Sequence, residues 1–395
     1  MNNPDRYKER IDAKIREELP FFTDLAIRIA QHPELGEEEF ETSRMLVEAL
    51  AERGWNVEYP YIGLPTAFNA ARRNGDGPVV TFMAEYDALP DIGHACGHNL
   101  NGVISLLGGI ALADAIGDDV KGEIRIVGTP AEETNGAKVE MADKGVFDDV
   151  DFAMMVHVAS ETTKPRYRSL AIIPVEFDFT GVSSHAAAAP WDGKNALNGL
   201  QLMYHALDML RQHVRPETRI HGVITKGGEA PNIVPNFAQA SFYFRSPSRN
   251  YLESVLAQAY NCARGAALAT GTEVSWRHHQ TSFYELLPNP EVERRMMEIL
   301  DELGIPYSSD PYFGGSTDAG NVSWKCPTMH LGLAITDEKV ALHTKEFAEI
   351  AANPGYARKG VEEGAKAIAR MGLIVLTDAE SRRKMAEDLA IEQKR

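Results

Sequence analysis

The run Val79-Val80-Thr81-Phe82-Met83-Ala84 carries no charge and ends abruptly in acids, Glu85-Tyr86-Asp87, before Ala88-Leu89-Pro90. An unbroken apolar run of this length marks a strand buried on both faces, which occurs where helices cover a parallel sheet on each side. Glu123 to Val127 and Phe152 to Val158 read as two further buried strands, the second carrying His157 near its end. Asn99 to Ile116 reads as a mostly apolar helix capped by Asn99. Glu37 to Arg53 has helical spacing, with Phe40, Leu46, Val47 and Leu50 on one side and a stop at Gly54. Strands alternating with helices specify an α/β sheet with crossovers, whose ligands gather at the carboxyl ends of the strands. The acids and the imidazole lie at such ends.

After about Leu170 the texture changes. Val175 to Thr180, Ile220 to Thr225 and Ala238 to Phe244 alternate, and Asn195 to Val214 reads as an amphipathic helix between them. Half-exposed strands with helices imply a small α+β unit on an antiparallel sheet. The helix-and-strand rhythm returns after Leu287-Pro288-Asn289-Pro290. The expected organisation is a domain in two parts, 1–172 and 287–395, interrupted by an insertion at 173–286. A chain of 395 residues is long for one core, which agrees with this division. The charged stretch from Asp378 to Arg395 reads as a solvated helix.

A net charge of −17 argues against nucleic acid or an anionic membrane as partner, while leaving an anionic substrate open where a local Arg or metal inverts the field. Three cysteines give no disulfide framework and point to a reducing cytoplasm. The polar start Met1-Asn2-Asn3-Pro4-Asp5-Arg6 has no apolar signal core, and no stretch is expected to supply the roughly 18 to 20 uncharged apolar residues that span a bilayer.

The chemistry-bearing cluster is Gly93-His94-Ala95-Cys96-Gly97-His98-Asn99. Cys96 and His98 can face one ion, with glycines that let the backbone bend around it. The alternative is a buried structural cysteine beside an ordinary histidine. A structural zinc finger needs a second Cys or His pair at short spacing, and a nucleoside-type zinc deaminase needs His-x-Glu with Pro-Cys-x-x-Cys; neither occurs. A catalytic site instead takes its ligands from distant strand ends. Pro130-Ala131-Glu132-Glu133 follows a strand with two adjacent carboxylates, suited to one metal ligand and one general base, or else to a solvated helix start. His157 ends a strand, where a buried imidazole needs a partner, and His343 is a lone histidine near a helix start; it is their order and placement beside the other groups that matter.

In this combination the chain resembles the M20 metallopeptidases, in particular the amidohydrolase branch with its aminoacylases, auxin-conjugate hydrolases and aminobenzoyl-glutamate hydrolases. The likeness runs nearly end to end, through His32-Pro33-Glu34-Leu35-Gly36, Asp87-Ala88-Leu89-Pro90, His94-Ala95-Cys96-Gly97-His98, Pro130-Ala131-Glu132-Glu133 and Gly315-Ser316-Thr317-Asp318-Ala319-Gly320-Asn321. It implies a mixed-sheet, zinc-exopeptidase-like catalytic domain with an inserted α+β, ferredoxin-like lid or dimerisation domain. It also implies two divalent metal ions, manganese or zinc before cobalt or nickel, held by Cys96, His98, Glu133, His157 and His343, with the Cys96 thiolate as bridge. Glu132 is then the base on the attacking water, and Asp87 orients a ligand. His185, in Gly181-Val182-Ser183-Ser184-His185, matches a histidine that dimers of this family present to the partner's site, where it steadies an oxyanion. Asn232 and Arg245 match residues that bind a substrate carboxylate, and Ser316 and Asp318 lie in a loop that lines the cleft in the family. Trp191, Tyr312 and Phe313 are expected either to shape an aromatic pocket or, for any one ring, to pack in the core.

Two departures select within the family. Glu85-Tyr86-Asp87 replaces the first metal-binding histidine of the exopeptidase branch, and Cys96 replaces its bridging aspartate; the amidohydrolase branch shares both changes. The short Asp91-Ile92 link resembles aminobenzoyl-glutamate and β-alanyl dipeptide hydrolases more than aminoacylases. The expected activity is hydrolysis of the amide bond of a small N-acyl or aminobenzoyl amino acid or dipeptide, by a homodimer. Alternatives are hydrolytic deamination of an aryl amine at the same metals, and a non-catalytic binding protein on the same fold. A serine hydrolase is disfavoured because no Gly-x-Ser-x-Gly elbow occurs.

Overall fold

The computed structural model describes residues 4–394. Contacts divide the chain into two units, one formed by Met1–Arg168 with Leu286–Arg395 and the other by Ser169–Glu285. The insertion thus begins four residues before the expected position 173 and ends one residue before 286. The apolar stretch Ala171-Ile172-Ile173 conceals the alternation by which its first strand was read, and Phe283 pairs with Ile172 as the chain leaves the unit.

In the larger unit β1 (Asn56–Glu58), β2 (Phe68–Asn74), β3 (Val79–Ala84), β4 (Gly122–Gly128) and β5 (Phe152–Ser160) form one sheet with a late strand, β12 (Thr328–Thr336). The strand order is β1-β2-β4-β3-β5-β12. The four strands β4, β3, β5 and β12 run parallel, while β1 and β2 add an antiparallel edge. Short strands β6 (Tyr167–Arg168) and β11 (Tyr312–Phe313) make a separate parallel pair.

Helices cover both faces of the large sheet. On one face lie α1 (Pro4–Gln31), α3 (His98–Ile116) and α10 (Pro354–Thr377), which pack on one another, with α2 (Phe40–Ala51) beside α3. The opposite face carries α4 (Ala137–Asp143) and α8 (Ala319–Ser323). Further helices of this unit are α7 (Pro290–Leu303), α9 (Lys345–Ala352) and α11 (Ala379–Glu392). Val80, Phe82 and Ala84 of β3 enter the core with α1, α3 and α10, and Met83 enters the core with α4 and α8. Burial from both sides explains why that strand is apolar throughout. Helix α1 buries Tyr7, Ile11, Ile15, Leu19, Phe22 and Ile29 at helical spacing.

Two expectations are corrected around α3. The helix is capped by Gly97 rather than by Asn99, whose amide instead donates to the carbonyls of Ala26 and Ala351. It is also long and apolar enough, at 19 residues, to cross a membrane, contrary to the expectation that no stretch approaches that length. Its window is 94% buried inside the protein, so it serves as a core helix between the sheet and its neighbours. Helix α2 starts at Phe40 rather than Glu37, because Glu34 supplies its first-turn acceptors: its carboxylate takes the N–H groups of Glu41 and Thr42.

The inserted unit runs β7 (Ala171–Thr180), α5 (Ala196–Leu210), β8 (Arg219–Lys226), β9 (Phe237–Ser246), α6 (Arg249–Thr270) and β10 (Glu273–Arg277). Its strand order is β10-β7-β9-β8, and each pairing is antiparallel. This β-α-β-β-α-β chain is the ferredoxin-like arrangement, with Phe177, Phe179, Phe242 and Phe244 packed against apolar residues of α5 and α6.

Candidate metal centre

The site is built where the parallel strands end. Gly97 has φ +77°, and a Cβ there would lie 2.2 Å from Val158 Cγ2. Only glycine lets this turn lie flat against β5. The turn brings Cys96 Sγ within 3.3 Å of His157 Nε2. The other His157 nitrogen, Nδ1, faces the Val158 carbonyl at 2.9 Å, so a proton on Nδ1 leaves the Nε2 lone pair directed at the cysteine side. His98, at the start of α3, is fully buried. Its Nδ1 lies 2.9 Å from Asp87 Oδ1, which fixes the ring and leaves Nε2 as the free donor.

Beyond β4 the chain turns at Pro130-Ala131, with Ala131 at φ +61°. The second oxygen of Asp87 accepts the Glu133 N–H at 2.9 Å, so one carboxylate holds both His98 and Glu133. His343 comes from the last third of the chain. Its N–H donates to the Ala95 carbonyl at 2.9 Å, and its Nε2 lies 3.2 Å from Glu133 Oε1.

Two sets of donors share one sulfur. The ligand atoms of Cys96, His98 and His157 all lie within 4.8 Å of one another, and the same holds for Cys96, Glu133 and His343. His98 Nε2 is buried without a hydrogen-bond partner, a costly state that a cation beside it removes. Burial pushes the Cys96 thiol well above its ordinary range, so a thiolate there requires a compensating cation. Burial raises the Glu133 carboxyl, but the hydrogen bond and charge of His343, the charge of His98 and a hydrogen bond from Cys96 together outweigh it and bring Glu133 down to about 2. Imidazole, carboxylate and thiolate donors in two overlapping triads would fit a pair of divalent cations, with Cys96 common to both triads. All five residues expected to be ligands are therefore brought together.

Glu132 stands beside this set. One of its oxygens lies within 4.8 Å of ligand atoms of His98 and Glu133, and one lies within 4.8 Å of carboxylate oxygens of Glu85 and Asp318. Burial, followed by the charges of Glu85, Glu133 and Asp318, pushes the Glu132 carboxyl well above its ordinary value. A carboxylate so placed is a strong proton acceptor. Glu85 and Asp318 are themselves joined by Lys138, whose Nζ lies 2.7 Å from an oxygen of each. Burial would raise Glu85, but the Lys138 ammonium, together with the His98, His157 and His330 imidazoles, holds it down at about 2.

Asp318 is thereby corrected. It was expected to line the substrate cleft, yet it is wholly buried and spends both oxygens on Lys138, on the ammonium and on the backbone N–H. Its neighbour Ser316 is half-buried. The aromatic residues are not core: Trp191, Tyr312 and Phe313 are 77%, 40% and 64% exposed. A different stack borders the ligands, with His330 5.4 Å from His157 and 4.4 Å from Tyr167 between ring centroids. Lys138, His330 and Tyr167 escaped the sequence reading. Lys138 pairs with Glu85 and Asp318, 53 and 180 positions away, and His330 stacks on His157 of the neighbouring strand and on Tyr167, while a lone Lys near a helix start ordinarily faces water.

His185, Asn232 and Arg245 belong to the inserted unit. His185 is exposed, and its Nδ1 accepts the N–H groups of Ala187 and Ala188 at 3.2 Å each, which places its proton on Nε2. The Asn232 carbonyl accepts the Ala186 N–H and so anchors that loop. Arg245 is half-buried on β9, its guanidinium 5.6 Å from the Tyr243 ring.

Similarity to known proteins agrees with this geometry. The chain is 36% identical over 386 residues to a mouse Xaa-Arg dipeptidase, covering 93% of this chain and 89% of the relative. It is 33% identical over 316 residues to one of the subunits of p-aminobenzoyl-glutamate hydrolase from Escherichia coli, covering 75% of this chain and 65% of the relative. Among solved structures, an aminobenzoyl-glutamate utilization protein from Klebsiella pneumoniae superposes with a TM-score of 0.70 at 19% identity, covering 91% of this chain and 98% of that one. A Bacillus subtilis dinuclear metal-binding peptidase of the M20 family gives 0.63 at 18% identity, covering 88% and 98%. The sequence profile of peptidase family M20/M25/M40 matches residues 81–370, and the chain belongs to that family.

Proposed function

We propose that this protein is a metal-dependent amidohydrolase that cleaves the amide bond of a small N-acyl amino acid or dipeptide. The observation that carries the reading is the pair of donor triads sharing Cys96, with the Glu132 carboxylate within reach of both. Relatives named for Xaa-Arg dipeptides, p-aminobenzoyl-glutamate and indole-3-acetyl-aspartic acid point to the same bond type.

Divalent ions bound at the two triads would supply Lewis acidity toward the amide carbonyl and lower the pKa of the nucleophilic water. Cys96, His98 and His157 would hold one ion, and Cys96, Glu133 and His343 the other. Glu132 takes the proton of the attacking water and returns it to the leaving nitrogen. Asp87 keeps His98 and Glu133 in register. His185, exposed and carrying its proton on Nε2, is suited to donate to the developing oxyanion in the partner subunit of a homodimer. Asn232 and Arg245 are suited to a free substrate carboxylate. Manganese and zinc match the donor set, with cobalt and nickel as further options.

The test is a panel assay of manganese- and zinc-loaded protein with N-acyl amino acids, β-alanyl and Xaa-Arg dipeptides, p-aminobenzoyl-glutamate and aryl amines. Release of a carboxylic acid and an amine from an amide is the expected result. Ammonia from an aryl amine without amide cleavage would replace it with a deaminase. Light scattering on the parent protein and on His185→Ala then reads the oligomeric state separately from turnover.

A further inference from the structure

The His32–Glu39 segment carries part of the family likeness but no assigned role. In the structure it touches the loop at Ala88, next to Asp87, and the 131–135 turn that carries Glu132 and Glu133. Leu35 bridges Ala88, and the Ala88 N–H donates to the Glu34 carbonyl at 2.8 Å. Asn135 donates to Glu37 at 2.7 Å. Gly36 lies directly on the 131–134 turn, where a Cβ would come within 2.5 Å of Thr134 Oγ1 and 2.9 Å of Ala131 Cα.

Glu39 ends the segment with a fully buried side chain. One of its oxygens accepts the Ala131 N–H at 2.8 Å, and the other accepts the Thr66 hydroxyl at 2.9 Å. Ala131 is the residue held at φ +61°, a backbone state that a side chain other than glycine's rarely adopts. A buried N–H requires an acceptor, and in this turn Glu39 is the one for residue 131. Asp87 serves residue 133 in the same way. Two buried carboxylates thus hold the backbone on either side of Glu132.

We propose that Glu39 is a positioning residue for the reaction: its carboxylate fixes the Ala131–Glu133 turn so that Glu132 and Glu133 both aim at the metal pair. Because the effect passes through the backbone, reach matters and charge does not. Glu39→Gln keeps the length and one acceptor oxygen, whereas Glu39→Asp keeps the charge but withdraws the oxygen by one methylene.

The proposal rests on the roles given to Glu132 and Glu133 above. With manganese-loaded protein and p-aminobenzoyl-glutamate as probe, Glu39→Gln is expected to retain the parent kcat, and Glu39→Asp to lose about 10²-fold in kcat with KM little changed. With cobalt(II) in place of manganese, the thiolate-to-cobalt absorption of the Glu39→Asp protein is expected to differ from the parent's, and that of Glu39→Gln to match it. A parent that cleaves none of the probe amides refutes the hydrolase reading, while the cobalt spectra still test the clamp. Parent-like kcat and spectrum in Glu39→Asp, or equal damage in Glu39→Gln, would overturn the proposal. Should Glu39→Asp not fold, Thr66→Val takes its place, freeing the other carboxylate oxygen; a parent-like spectrum there counts against the clamp and a shifted one supports it.

Discussion

Lys138 Nζ lies 2.7 Å from a carboxylate oxygen of Glu85, and both side chains are completely buried. The same ammonium reaches Asp318 at 2.7 Å, joining the end of β3, helix α4 and the start of α8 in one ionic knot beneath Glu132. Desolvating these charges is costly, and their attraction compensates only while all of them are present.

Lys138→Met should therefore leave Glu85 and Asp318 buried without a counter-charge. The expected loss is about 3–5 kcal/mol in the urea unfolding of metal-free protein. Lys384→Ala, which removes an exposed i,i+4 pair with Glu380, should change stability by no more than about 0.5 kcal/mol. Similar losses in the two variants would mean that the knot contributes nothing specific.

Glu132→Gln separates metal binding from proton transfer. Glu132 belongs to neither Cys96-sharing triad, so bound metal measured by elemental analysis should stay at the parent level. Turnover should fall by about 10²–10⁴. Near-parental rates would assign the base to another group.

Cys96 contributes to both triads, whereas His157 and His343 contribute to one each. Under dialysis against a weak chelator, His157→Ala and His343→Ala should each keep about one ion per chain, and Cys96→Ala fewer than either. Full occupancy in Cys96→Ala would remove the bridge.

Glu39 gives the metal-free protein a pH signature. Burial first, and the Asp87 charge second, push its carboxyl up to about 7. Between roughly pH 4.5 and 7 the folded chain keeps this proton while the unfolded chain releases it, so stability is full below the window and falls as pH rises through it. The loss amounts to about 3 kcal/mol across the window. Glu39→Gln carries no such proton, so its melting temperature should fall less over this range; parallel curves for the two proteins would contradict the assignment.

The sequence was most legible where one physical cause dominates. β3 is buried on both faces, so its apolar run gave its limits at Val79 and Ala84. Gly97 and Cys96-x-His98 announced the site because close backbone approach and metal donation restrict residue type severely. What escaped depends on pairings across long separations: Lys138 with Asp318 spans 180 positions, and Glu39 with Ala131 spans 92. The Asn99 side chain favours a cap locally, whereas tertiary contacts with Ala26 and Ala351 claim it. Likeness of motif puts Asp318 in a cleft, whereas its burial and its bonds to Lys138 commit it to the interior.

The interruption of the larger unit by Ser169–Glu285 also orders events in time. A ribosome releases β3, Cys96, His98, Glu133 and His157 before it begins the insertion, but β12, which lies beside β5, and His343 emerge only after it. A nascent chain can therefore assemble the Cys96, His98 and His157 donors early and must wait for its final segment before the Glu133 side can close. A chain truncated before residue 343 would therefore keep Cys96, His98, His157, Glu132 and Glu133 yet lack the His343 imidazole of the second triad.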